Sequence, residues 1–180
     1  TPLYSSAASD VYKRQAIGRA TGCRAFNALY GNRVDGDNPA QQDRVGVDNL
    51  RRAADAVAEI DGVVLLEPVS GTPAYPLKTA ADALSIIEKV GKPNVKLLAD
   101  FYHLAANGDD VAQVIEDHAA DFGHIQIADH PGRNEPGTGD LPLERWIDRS
   151  RELGYEGVIG LEYKASHEDP FAWLPRERRA

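Results

Sequence analysis

VKLLADFYH, residues 95–103, is the stretch that decides the fold. Its apolar run does not alternate with polar residues, which indicates a strand buried on both faces of a parallel sheet, and the run ends in the carboxylate Asp100. Three other apolar runs carry an acidic or amide residue near the end, namely Glu67 in VVLLEP, Gln126 in HIQIAD and Glu162 in VIGLEYK. Active sites collect at the carboxyl ends of parallel strands, so this pattern predicts one site assembled from four strands.

Strand and helix patterns alternate along the chain. Strands are predicted at 23–30, 62–68, 95–100, 122–128 and 157–163. Helices are predicted from 16 to a stop at Gly22, from an Asn38 N-cap to near Gly62, from a Thr79 N-cap to Gly91, and over 109–120 and 142–153. The apolar stripes of the two capped helices consist of Val47, Leu50, Ala54 and Val57, and of Ala83, Leu84, Ile87 and Val90.

This strict alternation predicts an α/β fold in which a parallel sheet is covered by outer helices. A G-x-G-x-x-G turn is absent from the sequence, which argues against an open dinucleotide-binding sheet. A complete (β/α)8 barrel takes about 250 residues. Residues 16–180 are therefore predicted to be the C-terminal part of a TIM barrel, with about five of its eight βα units. Residues 1–15 follow neither period and are expected to be a non-native or disordered leader.

Composition narrows the class of partner. A net charge of −8 argues against nucleic-acid binding, which relies on clustered Lys and Arg. The 42% hydrophobic and 27% charged residues are typical of a globular protein and give no indication of membrane binding. The single Cys23 excludes an internal disulfide framework, and an export signal is not recognisable, so a cytoplasmic location is expected.

The four strand-end residues offer oxygen atoms as ligands. Two glutamates, one aspartate and one amide favour a hard divalent cation, Mg²⁺ or Mn²⁺, over zinc. Three carboxylates against a doubly charged ion also leave one of them available as a base.

Several nearby residues are candidates for substrate binding. His103 lies three residues beyond Asp100, where the strand is expected to break into a loop, and Arg133 and Lys164 are cations suited to a substrate carboxylate. Glu135 is a candidate partner that would hold Arg133 in place. His124 alternates with Gln126 and is expected on the same face of its strand, one layer deeper.

Four longer motifs carry a resemblance to a known family. The segments LLEPVSG, LLADFYHLAANGDD, GHIQIADHPGRNEPGTGDL and GLEYK resemble those of the hydroxypyruvate isomerases, which are xylose-isomerase-like TIM barrels. The resemblance covers roughly residues 16–180. It departs from the related ketose epimerases at Gln126, where they carry histidine.

The resemblance implies a function for each of these positions. Glu67 and Glu162 would be the acid/base pair of an aldose–ketose type isomerase acting on hydroxypyruvate, a small hydroxy-oxo acid. Together with Asp100 and Gln126 they would surround a divalent metal, while His103 and Arg133 would contact substrate. A homodimer is expected because dimers are common among such barrels.

Two rival functions remain open at this level, and a third is disfavoured. A ketose epimerase or 2-oxo-tetronate isomerase would use the same chemistry on a longer substrate. Metal-dependent phosphoester cleavage would need a cluster of several histidines and a basic surface, and the sequence indicates neither. A truncated barrel that binds a small molecule without converting it is the alternative that is not an enzyme.

Overall fold

Five parallel strands form the centre of the structure, a computed structural model that describes residues 13–178. The strands are β1 (Ala25–Asn27), β2 (Val63–Leu66), β3 (Val95–Asp100), β4 (Phe122–Ile127) and β5 (Ile159–Leu161). They pair in sequence order, β1-β2-β3-β4-β5, and every pair is parallel. This order is that of consecutive barrel strands, so the predicted partial (β/α)8 barrel is confirmed.

Helices connect the strands. They are α1 (13–21 in the described part), α2 (Pro39–Ala58), α3 (Ala80–Val90), α4 (Phe101–Ala106), α5 (Val111–His118) and α6 (Leu143–Glu152). Two short 3₁₀ turns cover Ala119–Asp121 and Arg176–Arg178.

The predicted start signals of α2 and α3 are confirmed. The side chain of Asn38 accepts hydrogen bonds from the backbone of Ala40 and Gln41, and Pro39 stands at the first helical position. Thr79 and Asp82 form a reciprocal capping box at the start of α3. Each cap satisfies backbone N–H groups that have no partner within the helix, so these helices begin where the sequence indicates.

The apolar core lies between the sheet and the helices. Val47, Leu50, Ala54 and Val57 of α2 are all buried, as the stripe predicts. They pack with buried strand residues that point outward from the sheet, including Leu66, Leu97, Ile125 and Ile127. The opposite face of the strands therefore remains for the polar residues of a site.

Four details differ from the sequence predictions. β1 and β5 are much shorter than predicted because, within residues 13–178, each lies at an edge of the sheet and pairs with one neighbour. The helix predicted over 109–120 gives way to a 3₁₀ turn after His118. In α3, Ile86 is buried while Leu84 and Ile87 are half-buried.

The fourth difference concerns His103, which lies in helix α4 and not in a loop. Asp100 caps this helix with its own side chain, so the chain turns directly from strand into helix. Six residues are too few to reveal a helical period in the sequence.

The expected leader, residues 1–15, falls mostly outside the described residues. Residues 13–15 belong to α1, and buried Gln15 donates a hydrogen bond from Nε2 to the backbone oxygen of Ala56. Helix α1 ends at Gly22, whose φ of +77° lies in the left-handed region that favours glycine. Among the helices of residues 13–178, none combines the length and the apolar character needed to cross a membrane.

Candidate active site

The four predicted strand-end residues lie at the carboxyl ends of neighbouring strands. Glu67 directly follows β2, Asp100 ends β3, and Glu162 directly follows β5. Gln126 of β4 is in register with Asp100, so the two side chains project side by side from the same face. The fold thus brings together residues that are up to 95 positions apart in the sequence.

Asp100 links the sheet to helix α4 and is 1% exposed. Its Oδ1 accepts hydrogen bonds from the backbone N–H of Tyr102 at 2.9 Å and of His103 at 3.2 Å. One carboxylate oxygen is therefore occupied by the cap, and the other, Oδ2, faces the site. The same two bonds fix the first turn of α4 and with it the direction of the His103 side chain.

His103 points back toward two of the carboxylates. Its Nε2 lies 3.7 Å from Asp100 Oδ2 and 3.9 Å from Glu67 Oε1, and the ring is 5% exposed. One ligand-type atom from each of the three residues lies within 4.8 Å of the others. These three buried side chains could hold a metal ion.

Glu67 is held by two neighbours that sequence analysis missed. Asn27, the last residue of β1, donates from Nδ2 to Glu67 Oε2 at 2.6 Å. The hydroxyl of buried Tyr75 donates to the backbone oxygen of Glu67 at 2.8 Å. Asn27 occupies the same strand-end position as the four predicted residues and was detectable by that signal; Tyr75 lies in a loop and was not.

Arg133 bridges two of the carboxylates. Its Nη2 lies 3.0 Å from Glu162 Oε2 and 3.5 Å from Asp100 Oδ2, and the guanidinium lies over the Tyr102 ring at 5.3 Å from the centroid. The backbone φ of +60° is rare for a residue with a side chain. The loop after β4 therefore presents a cation to the strand-end carboxylates.

Burial shapes the ionisation of this cluster. It raises the pKa of Glu67 from 4.5 to about 7, an effect that the Asn27 hydrogen bond opposes and the charges of Asp100 and Glu162 reinforce. Burial also raises the pKa of Asp100 and of Glu162, while Arg133 opposes both shifts. It lowers the pKa of His103 to about 4, so this ring is neutral at pH 7. Burial therefore disfavours the charged form of all four groups.

Two oxygen atoms in the cluster test whether a metal ion fits. Asp100 Oδ2 and Gln126 Oε1 are fully buried and have no hydrogen-bond partner among residues 13–178. A buried oxygen without a partner costs about 1–3 kcal/mol, and a cation would satisfy both. These residues, with Glu67 and Glu162, fit a hard divalent ion bound through oxygen.

Lys164 and His124, two further candidates, lie in different environments. Lys164 has an exposed side chain, and its backbone N–H donates to the Arg133 oxygen at 2.7 Å. His124 lies on the face of β4 that carries Gln126, as predicted, since an added Cβ at Gly160 would approach both side chains.

The prediction that Glu135 holds Arg133 is wrong. The buried Glu135 carboxylate accepts hydrogen bonds from the backbone N–H and hydroxyl of Ser166 and from the backbone N–H of His167. Those bonds lower the pKa of Glu135 to about 2. These bonds tie the loop after β4 to the segment after β5, whereas Arg133 pairs with Asp100 and Glu162.

Comparison with known proteins bears on this site. The family model for xylose isomerase-like TIM barrels matches residues 6–180. A protein of Streptomyces coelicolor named putative hydroxypyruvate isomerase is 49% identical over 90% of this chain and 61% of its own length. The hydroxypyruvate isomerase of Escherichia coli is 34% identical over 81% of this chain and 57% of its own length.

Two further similarities extend the comparison. A 2-oxo-tetronate isomerase of Cupriavidus necator is 38% identical over 70% of this chain and 51% of its own length. The crystal structure of a Brucella melitensis protein described as AP endonuclease, family 2, has a TM-score of 0.89 and 28% identity, covering 94% of this chain and 67% of that one. The chain thus spans less than two thirds of the length of these three isomerases.

Proposed function

Because the chain belongs to the xylose isomerase-like TIM barrel family, we propose that it acts as a hydroxypyruvate isomerase, interconverting hydroxypyruvate and 2-hydroxy-3-oxopropanoate. The observation that carries the proposal is the buried carboxyl group of Glu67, whose pKa of about 7 suits proton exchange near neutrality. The similarity to proteins named hydroxypyruvate isomerase supports this choice of substrate.

The reaction moves a carbonyl group by one carbon. A base removes a proton from the hydroxymethyl carbon of hydroxypyruvate, which leaves an enediolate, and an acid delivers a proton to the former carbonyl carbon. The hydroxyl proton passes between the two oxygens in the same direction, from the hydroxymethyl oxygen to the former carbonyl oxygen. We assign the two carbon-directed transfers to Glu67 and Glu162, which follow β2 and β5 on either side of Asp100 and Gln126.

Other residues bind and orient the substrate. Arg133 offers a guanidinium that suits the substrate carboxylate, and His103 offers a neutral ring nitrogen to a substrate oxygen. Lys164 is a second cation for the carboxylate. Glu67, Asp100, Gln126 and Glu162 would hold Mg²⁺ or Mn²⁺. When bound, that ion supplies Lewis-acid polarisation of the carbonyl oxygen.

A longer 2-oxo acid is the second candidate substrate. The same proton transfer would serve 2-oxo-tetronate, and the similarity to the Cupriavidus necator enzyme of that name supports it. Phosphoester cleavage is disfavoured, because the net charge is −8 and the metal-type cluster within residues 13–178 contains a single histidine.

An NMR assay in D₂O tests the proposal. Protein treated with a chelator is incubated with hydroxypyruvate and, in a parallel sample, with 2-oxo-tetronate, each with and without added Mg²⁺ or Mn²⁺. Conversion with deuterium on the new C–H carbon of the product supports the proposal, and its dependence on added ion tests the metal. If only 2-oxo-tetronate is converted, the second candidate replaces the first. Absence of both conversions, with no exchange of substrate protons, would reject the isomerase assignment and leave a barrel that only binds.

A further inference from the structure

The ring of His103 is held from behind by Ser70, in the loop after β2. The backbone N–H of Ser70 donates to His103 Nδ1 at 3.1 Å, and the Ser70 hydroxyl oxygen lies 2.7 Å from the same nitrogen. The ring is buried, so water does not compete for this nitrogen. Two groups of one residue therefore define the state of Nδ1.

A backbone N–H can only donate, so Nδ1 must accept and cannot carry a proton. In the neutral ring the single proton then resides on Nε2. Nε2 is the nitrogen that faces the site, 3.7 Å from Asp100 Oδ2 and 3.9 Å from Glu67 Oε1. His103 consequently presents an N–H group to the space between the two carboxylates.

The proton on Nε2 distinguishes two roles of His103, metal ligand and hydrogen-bond donor, which the distances alone do not distinguish. His103 is close enough to Glu67 and Asp100 to be a third metal ligand. A ligand nitrogen needs a free lone pair, and a metal-bound histidine donates its other N–H to an acceptor. The Ser70 N–H is a donor, so it cannot be the acceptor that a metal-bound histidine has at its other ring nitrogen.

We propose that Ser70 is a positioning residue that holds His103 in the Nε2–H tautomer, so that His103 donates a hydrogen bond to a substrate oxygen and does not bind the metal. The part about the substrate rests on the proposed isomerase function. The part about the tautomer rests only on the contacts between Ser70 and His103.

Nitrogen NMR of the chelated protein tests the tautomer without any activity measurement. The protein is labelled with ¹⁵N-histidine, and the signals of His103 are identified by their loss in His103→Gln. We expect Nδ1 to resonate as an unprotonated acceptor and Nε2 as a protonated nitrogen. The reverse pattern would overturn the proposal.

Ser70→Ala tests whether the hydroxyl contributes, with Ser85→Ala on the exposed side of α3 as the matched control. Loss of the hydroxyl hydrogen bond should move the shift of Nδ1, while the remaining backbone N–H of Ser70 keeps the proton on Nε2, so the two ring-nitrogen shifts should change without exchanging. Ser85→Ala should leave them in place. Unchanged shifts in Ser70→Ala would reject a role for the Ser70 side chain.

Mn²⁺ binding tests the second half of the proposal. We expect His103→Gln to keep the Mn²⁺ affinity within about threefold, whereas Asp100→Asn, which removes a charged oxygen ligand, should lower it by at least the roughly 10–100-fold that loss of a ligand's hydrogen-bond partner costs. An equal loss in both variants would make His103 a ligand and overturn the proposal. Because neither the NMR nor the Mn²⁺ measurement needs turnover, a failed hydroxypyruvate assay would reject the isomerase function and leave the tautomer result standing.

Discussion

Asn27 donates a hydrogen bond from Nδ2 to Oε2 of Glu67 over 2.6 Å, joining the ends of β1 and β2. This bond stabilises the charged form of Glu67 and restrains the upward shift of its pKa. It also leaves Oε1 as the oxygen nearer to His103. The first strand, short as it is, therefore sets both the orientation and the acidity of a proposed catalytic group.

Replacing Asn27 with Ala should move the pH profile of turnover. Without the donor the charged form of Glu67 is less stable, so the pKa of its carboxyl group rises relative to that in the wild-type enzyme and less carboxylate is present at neutral pH. We expect the acidic limb of the profile to shift upward and turnover at pH 7 to fall by about tenfold, which corresponds to about 1.4 kcal/mol. Asn49→Ala, on the exposed face of α2, is the control and should retain the wild-type profile. An unshifted profile in Asn27→Ala would contradict the assignment.

Glu162→Gln should abolish most turnover while leaving the fold intact. The Glu162 side chain is 46% exposed, so its replacement by an isosteric amide costs little packing, but an amide cannot exchange the proton. We expect turnover to fall by about 10²–10⁴-fold. Thermal unfolding checks the fold, and Glu156→Gln, an exposed glutamate before the same strand, provides the control. Near-normal turnover in Glu162→Gln would remove this residue from the chemistry.

The pH dependence of stability should separate Glu67 from His103 in the chelated protein. The pKa of Glu67 is about 7 in the folded protein and 4.5 in the unfolded chain, so the folded state holds this proton more tightly. The contribution of Glu67 to stability is therefore lost as pH rises from 4.5 to about 7. With a folded pKa of about 4 against 6.5, His103 has the opposite effect, and stability rises as pH rises between those values. In the wild-type protein the two slopes oppose each other.

The Glu67→Gln substitution removes the contribution of Glu67 to the pH dependence of the unfolding free energy. Urea unfolding at pH 5 and pH 8 should show a larger gain in the free energy of unfolding at pH 8, where burial of the charged carboxylate costs most. Glu88→Gln, at an exposed position of α3, should change both values little. An equal gain at both pH values would show that the pKa of Glu67 is not raised.

Gly160→Ala should disturb the face of the sheet that carries the site. A Cβ at this position in β5 would lie 2.8 Å from His124 Nε2, too close unless the imidazole moves, and 3.0 Å from Gln126 Cγ, which is a tight contact. We expect a loss of about 1–3 kcal/mol in unfolding free energy, together with lower activity.

The double variant Gly160→Ala/His124→Ala tests whether the close contact with the His124 ring causes this destabilisation. Removing the imidazole makes room for the new methyl group, so the double variant should be more stable than the sum of the single effects predicts. Simple additivity in a double-mutant cycle would place the cause of the destabilisation elsewhere.

The sequence alone determined the order of strands and helices and indicated where the candidate site lies. Non-alternating runs such as VKLLAD require burial on both faces, and the Asn38 and Thr79 caps mark helix starts through bonds made within a few residues. Polar residues at the ends of these runs are not suited to the apolar layer between the sheet and the helices, so they gather at the carboxyl ends of the strands. These are local or periodic signals, which a single sequence carries.

The partners of each site residue were decided only by the tertiary structure. The contact of Ser70 with His103 spans 33 residues and that of Glu135 with Ser166 spans 31, and a long-range hydrogen bond leaves no periodic trace in the sequence. The lengths of β1 and β5 depend on how many neighbours each strand pairs with, and the pKa of Glu67 on the depth at which packing buries it. Sequence pattern places polar groups at the strand ends, whereas packing selects their partners and sets their distances, charge states and tautomers.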